Sequence, residues 1–308
     1  MRIVFMGTPD FSVPCLQALI DDGHDICAVF TQPDKPKGRH GALVPPPVKA
    51  LATENNIPVY QPVSLKNDES KELFKSLEAE LAIVVAYGKI LPEEFLQAPK
   101  YGCINMHASL LPKLRGAAPI QWAIVNGETS SGVTAMQMDK GLDTGDMLYY
   151  ESVEISDDET AEELHDELSA LGAQVMRKTI EMLKSNSLNP VKQDDSKSSY
   201  APILTKELSA INWQKSASEI HNQVRGLYSW PGASAVLGDK IIKIHSTKLF
   251  GKVFGKAGEV VECNSRLVVA CGDSNGIELT VIQAPGKKAM PAADYMRGNP
   301  IELGTIFE

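Results

Sequence analysis

The chain has 308 residues, 43% of them hydrophobic and 22% charged, and a net charge of −9. This is the composition of an ordinary globular protein with room for two domains, and no run reaches the roughly 18 uninterrupted apolar residues of a membrane span. Five cysteines (Cys15, Cys27, Cys103, Cys263 and Cys271) without a CxxC spacing argue against a disulfide framework and a zinc site, and point to a reducing compartment, the cytoplasm.

Residues 2–6 form a short apolar run closed by Gly7-Thr8-Pro9, which predicts a first strand and a turn. A dinucleotide-binding loop would begin in this slot. GxGxxG is absent from Gly7-Thr8-Pro9-Asp10-Phe11, and Pro9 offers no N–H to a phosphate, which counts against a nicotinamide-dependent oxidoreductase. Apolar residues at Val13, Leu16, Leu19 and Ile20 predict a helix over 13–22, and the β-branched run 26–31 a buried strand. A long cationic loop follows, Asp34-Lys35-Pro36-Lys37-Gly38-Arg39-His40-Gly41, closed by Pro45-Pro46-Pro47. Loops of this length inside a compact domain are usually functional or disordered. Helices are predicted over 48–55 and 70–77, and a fully apolar strand over 81–85. Apolar strands alternating with helices indicate an α/β domain with a mostly parallel, doubly covered sheet.

A strand is predicted over 101–105, a helix over 119–126 with Pro119 at its start, and strands over 133–138 and 147–153 flanking a Gly-rich loop. Thr160 and Glu163 form a capping-box pattern for a long helix striped by Leu164, Leu168, Leu171, Val175 and Leu183. Residues 185–200 are polar and broken by Pro190, the signature of a connection. Beyond it lie a helical segment (216–227) and five short strand-like runs: 233–237, 240–245, 258–264, 266–271 and 277–281. Short strands at this spacing suggest a small β-barrel. The expected division is therefore a first domain over 1–188, a connection over 189–205 and a barrel domain over 206–308. Residues 201–308 hold 12 Lys+Arg against 10 Asp+Glu, leaving 18 against 29 in residues 1–200, so the rear part is the more basic one.

Asn105 and His107 occupy alternate positions at the end of the run Cys103-Ile104-Asn105. On a strand, alternate side chains share a face, and in an open α/β sheet ligands bind beyond the carboxyl ends of the strands. A carboxamide and an imidazole so placed make a donor pair for a developing oxyanion. A carboxylate arriving from a second segment would add acid–base chemistry, and Asp143 in the glycine-flanked loop Lys140–Asp146 is a candidate. Taken singly, Asn-x-His also reads as a core histidine beside a turn, and the loop as a plain hairpin.

Together the motifs closely resemble the methionyl-tRNA formyltransferase family. They are GTPDF (7–11), TQPD (31–34), VVAYGK (84–89), CINMH (103–107), SLLP (109–112), RGAAPIQ (115–121), MQMDKGLDTGDM (136–147), Asn212-Trp213 and GKKAM (286–290). The likeness spans almost the whole chain. It implies a Rossmann-like formyltransferase domain followed by an OB-like barrel domain that binds tRNA. It implies transfer of a formyl group from 10-formyltetrahydrofolate to the amine of methionyl-initiator tRNA, without a metal. The resemblance assigns catalysis to Asn105, His107 and Asp143. It assigns folate binding to Ser109, Leu110, Leu111 and Pro112, and tRNA contact to the 34–47 loop through Lys35, Lys37 and Arg39. The expected state is a monomer with no membrane partner. A formyltransferase for an amino-sugar nucleotide and a non-catalytic RNA-binding protein are the competing readings.

Overall fold

The computed structural model describes residues 1–36 and 41–308. In chain order the first elements are β1 (Arg2–Gly7), α1 (Val13–Asp21), β2 (Asp25–Phe30), the short strands β3 (Lys35–Pro36) and β4 (Leu43–Val44), and α2 (Pro47–Glu54). Next come β5 (Val59–Tyr60), α3 (Asp68–Ser76), β6 (Leu81–Val85), α4 (Glu93–Gln97) and β7 (Cys103–His107). These are followed by β8 (Arg115–Gly116), α5 (Pro119–Val125), β9 (Ser130–Gln137), β10 (Met147–Glu154) and α6 (Ala161–Lys184). A seven-stranded sheet runs in the order β10-β9-β7-β6-β1-β2-β5. Strands β5, β2, β1, β6 and β7 are parallel, and β9 runs antiparallel to β7. The chain winds outward from β1 through β2 to β5, then returns to the other side of β1 as β6 and β7. This is the Rossmann-like, mostly parallel sheet expected from alternating apolar strands and helices.

On one face of the sheet Val4, Met6, Ala28, Phe30, Ala82, Val84 and Cys103 pack with Phe74 of α3 and Phe95 of α4. The Phe74 and Phe95 ring centroids lie 4.3 Å apart. Helix α3 starts where Asn67 accepts the Ser70 N–H at 3.2 Å, with Asp68 and Glu69 in its first turn, an arrangement that satisfies free donors and complements the helix dipole. The capping box of α6 is formed: Glu163 accepts the Thr160 N–H at 2.9 Å, and Thr160 Oγ1 accepts the Glu163 N–H at 3.3 Å. Leu164, Leu168, Leu171 and Val175 are buried along its stripe.

The chain forms two compact units. The first holds Met1–Gly116, Ser131–Val153 and His165–Tyr200; the second holds Ala117–Ser130, Glu154–Leu164 and Ala201–Glu308. The remaining elements are β11 (Tyr200–Ala201), α7 (Ala217–Gly226), β12 (Ala233–Leu237), β13 (Lys240–Lys252), β14 (Val260–Glu262), β15 (Leu267–Ala270), β16 (Asn275–Gln283), β17 (Met290–Pro291) and α8 (Ala292–Gly298). Strands β12-β13-β16-β15-β14 make an antiparallel sheet, with β17 also paired to β16. Strand β13 continues past the expected end at 245 because its pairing with β16 is bulged between Ile244 and Ser246 and again between Ser246 and Thr247. A bulge breaks the two-residue alternation from which a strand is read.

The edges of this curled sheet are joined by residues 304–308. Val236 and Glu308 exchange backbone hydrogen bonds at 2.7 and 2.9 Å on the β12 side. On the β14 side Val260 N–H donates to Thr305 O at 2.8 Å, and Gly304 N–H to Val260 O at 2.9 Å. The last segment thus bridges two otherwise open edges and closes an OB-like barrel. Phe307 is 1% exposed within the barrel core, its ring centroid 5.8 Å from that of Trp213. Phe307→Ala removes this anchor. It is expected to lower the unfolding free energy of the barrel unit by about 3–5 kcal/mol, read as an earlier midpoint in urea followed by Trp213 fluorescence.

Candidate active site

Three loops at the carboxyl ends of the parallel strands are tied to one another. Thr8 Oγ1 and Gln32 Nε2 both donate to Tyr87 O, at 3.1 and 3.0 Å, and Gln32 N–H donates to Thr8 Oγ1 at 3.2 Å. The GTPDF, TQPD and VVAYGK segments therefore meet at the end of the sheet where ligands bind. Burial pushes the Tyr87 hydroxyl up to about 12, so it stays neutral.

Strand β7 adds the central pair. Its pairing with β6 places Cys103 beside Ala82 and Asn105 beside Val84, and its pairing with β9 places Asn105 opposite Met136 and His107 opposite Thr134. Cys103, Asn105 and His107 share one face. Cys103 is fully enclosed, with its thiol pushed up to about 12 by burial. Asn105 is partly exposed and its carboxamide makes no hydrogen bond to any described residue. His107 is 6% exposed.

His107 Nε2 lies 2.9 Å from Leu114 O. A carbonyl can only accept, so Nε2 carries a proton and Nδ1 is the nitrogen left free. Nδ1 lies 3.7 Å from Asp143 Oδ2. That is an ion-pair distance, too long for a hydrogen bond, so a proton on Nδ1 is not committed to the carboxylate. Asp143 Oδ2 accepts the Gly116 N–H at 2.9 Å, while Oδ1 has no partner among the described residues. The structure thus brings His107 and Asp143 to ion-pair distance, with Asn105 two residues before His107 on the same strand.

Asp143 takes its place through an unusual backbone. Its φ is +54°, the left-handed region that costs a non-glycine residue roughly 1–2 kcal/mol. The loop around it is closed by a Gln137 N–H to Asp146 O bond at 2.9 Å. Asp139 Oδ1 binds Gly141 N–H at 2.9 Å and Thr144 Oγ1 at 2.7 Å, so Asp139 holds the loop's shape. A Cβ at Gly145 would sit 1.7 Å from Gln137 O, which no side chain can occupy.

The SLLP residues are placed as follows. Ser109 is buried, its hydroxyl donating to Lys113 O at 2.7 Å and its carbonyl accepting from Thr134 Oγ1 at 2.7 Å. Leu111 N–H donates to Thr134 Oγ1 at 3.2 Å. Leu110 lies over Gly132, where a Cβ would come within 2.6 Å of its Cδ2. Leu111 is buried, and Leu110 and Pro112 keep partly exposed edges. The turn is fixed by its own bonds and presents apolar edges rather than hydroxyls.

Of the loop cations, Lys35 is exposed on the short β3–β4 ribbon and has no ion-pair partner among the described residues. Lys37 and Arg39 lie outside the described residues. The loop's entrance is anchored at Asp34, whose carboxylate meets Lys49 Nζ at 2.7 Å and Gln61 Nε2 at 2.8 Å. The bond from Lys49, and then that from Gln61, hold Asp34 below the usual carboxylate range.

Sequence reasoning missed Arg115 and Gln193. Gln193 is buried in the polar segment that reads as a connection, and it hydrogen-bonds the carbonyls of Asp143 and Gly145. Nothing in a polar run marks such a residue in advance. Arg115, which bonds Gln193 Oε1 at 3.0 Å, did stand in a quoted motif without a role.

Comparison with known proteins adds an independent line. A family model described as formyl transferase matches residues 1–180, and one described as formyl transferase, C-terminal domain, matches residues 203–300. The chain is 50% identical over 311 residues to the methionyl-tRNA formyltransferase of Clostridium novyi (strain NT), covering 100% of each protein. It is 48% identical over 308 residues to the protein of that name from Alkaliphilus oremlandii (strain OhILAs), covering 100% of this chain and 99% of the relative. Among solved structures it is similar to WlaRD, a sugar 3N-formyl transferase crystallised with dTDP and 5-N-formyl-THF. That likeness has a TM-score of 0.71 and 23% identity, covering 94% of this chain and 99% of the other; it bears on the fold alone.

Gly145→Ala is expected to displace the 138–146 loop and cut turnover about 10²-fold, the cost of misplacing a reacting group by roughly 1 Å. An unchanged kcat in single-turnover formyl transfer would show that the loop's position is not needed.

Proposed function

The chain belongs to the methionyl-tRNA formyltransferase family, and from that premise we propose how its residues divide the work of moving a formyl group from 10-formyltetrahydrofolate to the amine of methionyl-tRNA. The observation that carries the reading is the approach of His107 Nδ1 to Asp143 Oδ2, on the face of β7 where the Asn105 carboxamide stands uncommitted. An unpaired donor at the end of a parallel strand fits a ligand that brings its own carbonyl oxygen. When bound, the folate supplies a formyl carbon already activated on an aryl amine.

Asn105 donates its side-chain N–H to the formyl oxygen as negative charge develops there. His107, with Nε2–H held by Leu114 O, offers Nδ1–H of the charged ring as the second donor. Donors fixed before reaction stabilise the transition state more than the ground state. Asp143 Oδ2 is occupied by Gly116, so its Oδ1 accepts the proton that the attacking amine must lose, directly or through water. The amine adds to the formyl carbon to give a tetrahedral oxyanion, and as this collapses the bond to the folate nitrogen breaks and the proton taken up by Asp143 passes, directly or through water, to that nitrogen as it leaves. Leu110, Leu111 and Pro112 form the apolar wall beside the donor, and Ser109 holds the turn that carries them.

Lys35, Lys37 and Arg39 are assigned to the phosphates of the tRNA acceptor end. The barrel offers a second cationic surface, for Lys240, Lys243 and Lys248 are exposed along β13, with Lys287, Lys288 and the half-exposed Trp230 near in sequence to its partner segments. Lysines for the backbone and an aromatic face for a base are what RNA recognition uses. The acceptor is methionyl-initiator tRNA, the protein acts as a monomer, and its work in translation belongs to the cytoplasm. No helix among the described residues is long and apolar enough to cross a membrane.

Asn105→Ala and His107→Ala are each expected to lower kcat by about 10²–10³-fold, and Asp143→Ala by about 10²–10⁴-fold, with little change in KM for methionyl-tRNA. Near-normal turnover by His107→Ala at saturating folate would remove the donor assignment. Offering amino-sugar nucleotides and charged initiator tRNA side by side identifies the acceptor. For Arg39→Ala, log KM for tRNA should rise less steeply with log salt, by about one unit of slope; an unchanged slope would take Arg39 out of the phosphate contacts.

A further inference from the structure

Gln193 commits both of its amide donors to the loop that carries Asp143. Its Nε2 donates to Asp143 O at 2.8 Å and to Gly145 O at 2.7 Å, and its Oε1 accepts from Arg115 Nε at 3.0 Å. The amide cannot be the other way round. Arg115 Nε only donates, so the atom facing it is the oxygen, and the NH2 group faces two carbonyls that only accept. Arg115 is itself aimed by Asp195, whose Oδ1 accepts from its terminal nitrogen at 2.8 Å. The Gln193 side chain is buried, and its bond to Gly145 O is fully enclosed.

The two carbonyls belong to the peptide that leaves the left-handed Asp143 and to the peptide two residues farther on. Gripping both pins the peptide plane on the C-terminal side of Asp143 and the loop just beyond it, and with them the direction in which the Asp143 side chain leaves the backbone. The next backbone N–H after Arg115, that of Gly116, binds the Asp143 carboxylate. Main chain and carboxylate of Asp143 are therefore held from the same short stretch, one through Gln193 and the other directly. We propose that Gln193, oriented by Arg115, is the positioning residue that fixes the aim of the Asp143 carboxylate toward His107 and the attacking amine. It touches no reacting atom. The inference rests on the assignment of Asp143 as proton acceptor and extends it to a residue 50 positions away in sequence.

The test is a double-mutant cycle in the full-length enzyme with methionyl-tRNA and 10-formyltetrahydrofolate. Gln193→Met keeps the length of the side chain and removes both donors. It is expected to lower kcat by about tenfold or more, with KM for both substrates within about twofold. In an Asp143→Ala background the same change should cost nothing further, because a residue that only aims the carboxylate has nothing left to aim. A loss of equal size in that background, or a kcat of Gln193→Met within about threefold of wild type, overturns the proposal. Arg115→Lys, which keeps the charge but loses the Nε that orients the amide, is carried through the same cycle and decides the matter if Gln193→Met does not fold. Full activity of Asp143→Ala alone would instead overturn the proton-acceptor assignment, so the two failures are told apart.

Discussion

Leu114, Arg115 and Gly116 hold the imidazole and the acid of the site from a single stretch of backbone. The Leu114 carbonyl takes the His107 Nε2 proton, the Arg115 guanidinium orients Gln193, and the Gly116 amide binds Asp143. The stretch is irregular, with φ of +57° at Leu114 and +118° at Gly116, and would not hold itself. Ser199 steadies it, accepting the Leu114 N–H on its hydroxyl at 2.9 Å and the Arg115 N–H on its carbonyl at 2.9 Å. Where the imidazole faces, and where the acid faces, follow from this frame.

The frame matters because the chemistry assigned to the site is electrostatic. Hydrogen bonds to a developing charge help only if their donors are in place before the reaction and need no reorganisation. The structure meets that condition unequally. His107 and Asp143 are held through both main chain and side chain, while the Asn105 carboxamide sits on a rigid strand but keeps its donors free. The group that must find a ligand is left unpaired, and the groups that must stay aimed are tied.

Much of this could be read along the chain. Apolar runs over 81–85 and 2–6 announce parallel strands, and the spacing of Asn105 and His107 puts both on one face once β7 is recognised. Strand β7 itself runs two residues beyond the expected end, because His107 still pairs with Thr134 across β9; polar residues at a strand's end hide its continuation. Gln193 was illegible. Its neighbours are as polar as it is, and its partners lie 50 and 78 positions away. The extent of β13 was obscured by bulges, and the closing segment 304–308 is too short to show any period. What sequence periodicity conveys is which face a residue occupies, and it is silent about side chains whose work is to join distant loops.

The seam of the barrel bears on the order in which the protein can be finished. Domains fold as their residues emerge during synthesis. Every strand of the catalytic sheet, together with Gln193, precedes the barrel in the chain. The barrel's edges at Val236 and Val260 must wait for residues 304–308, the last stretch to leave the ribosome among those that build it. Until then two unpaired strand edges stand open to other nascent chains, and the emergence of residues 304–308 shuts them.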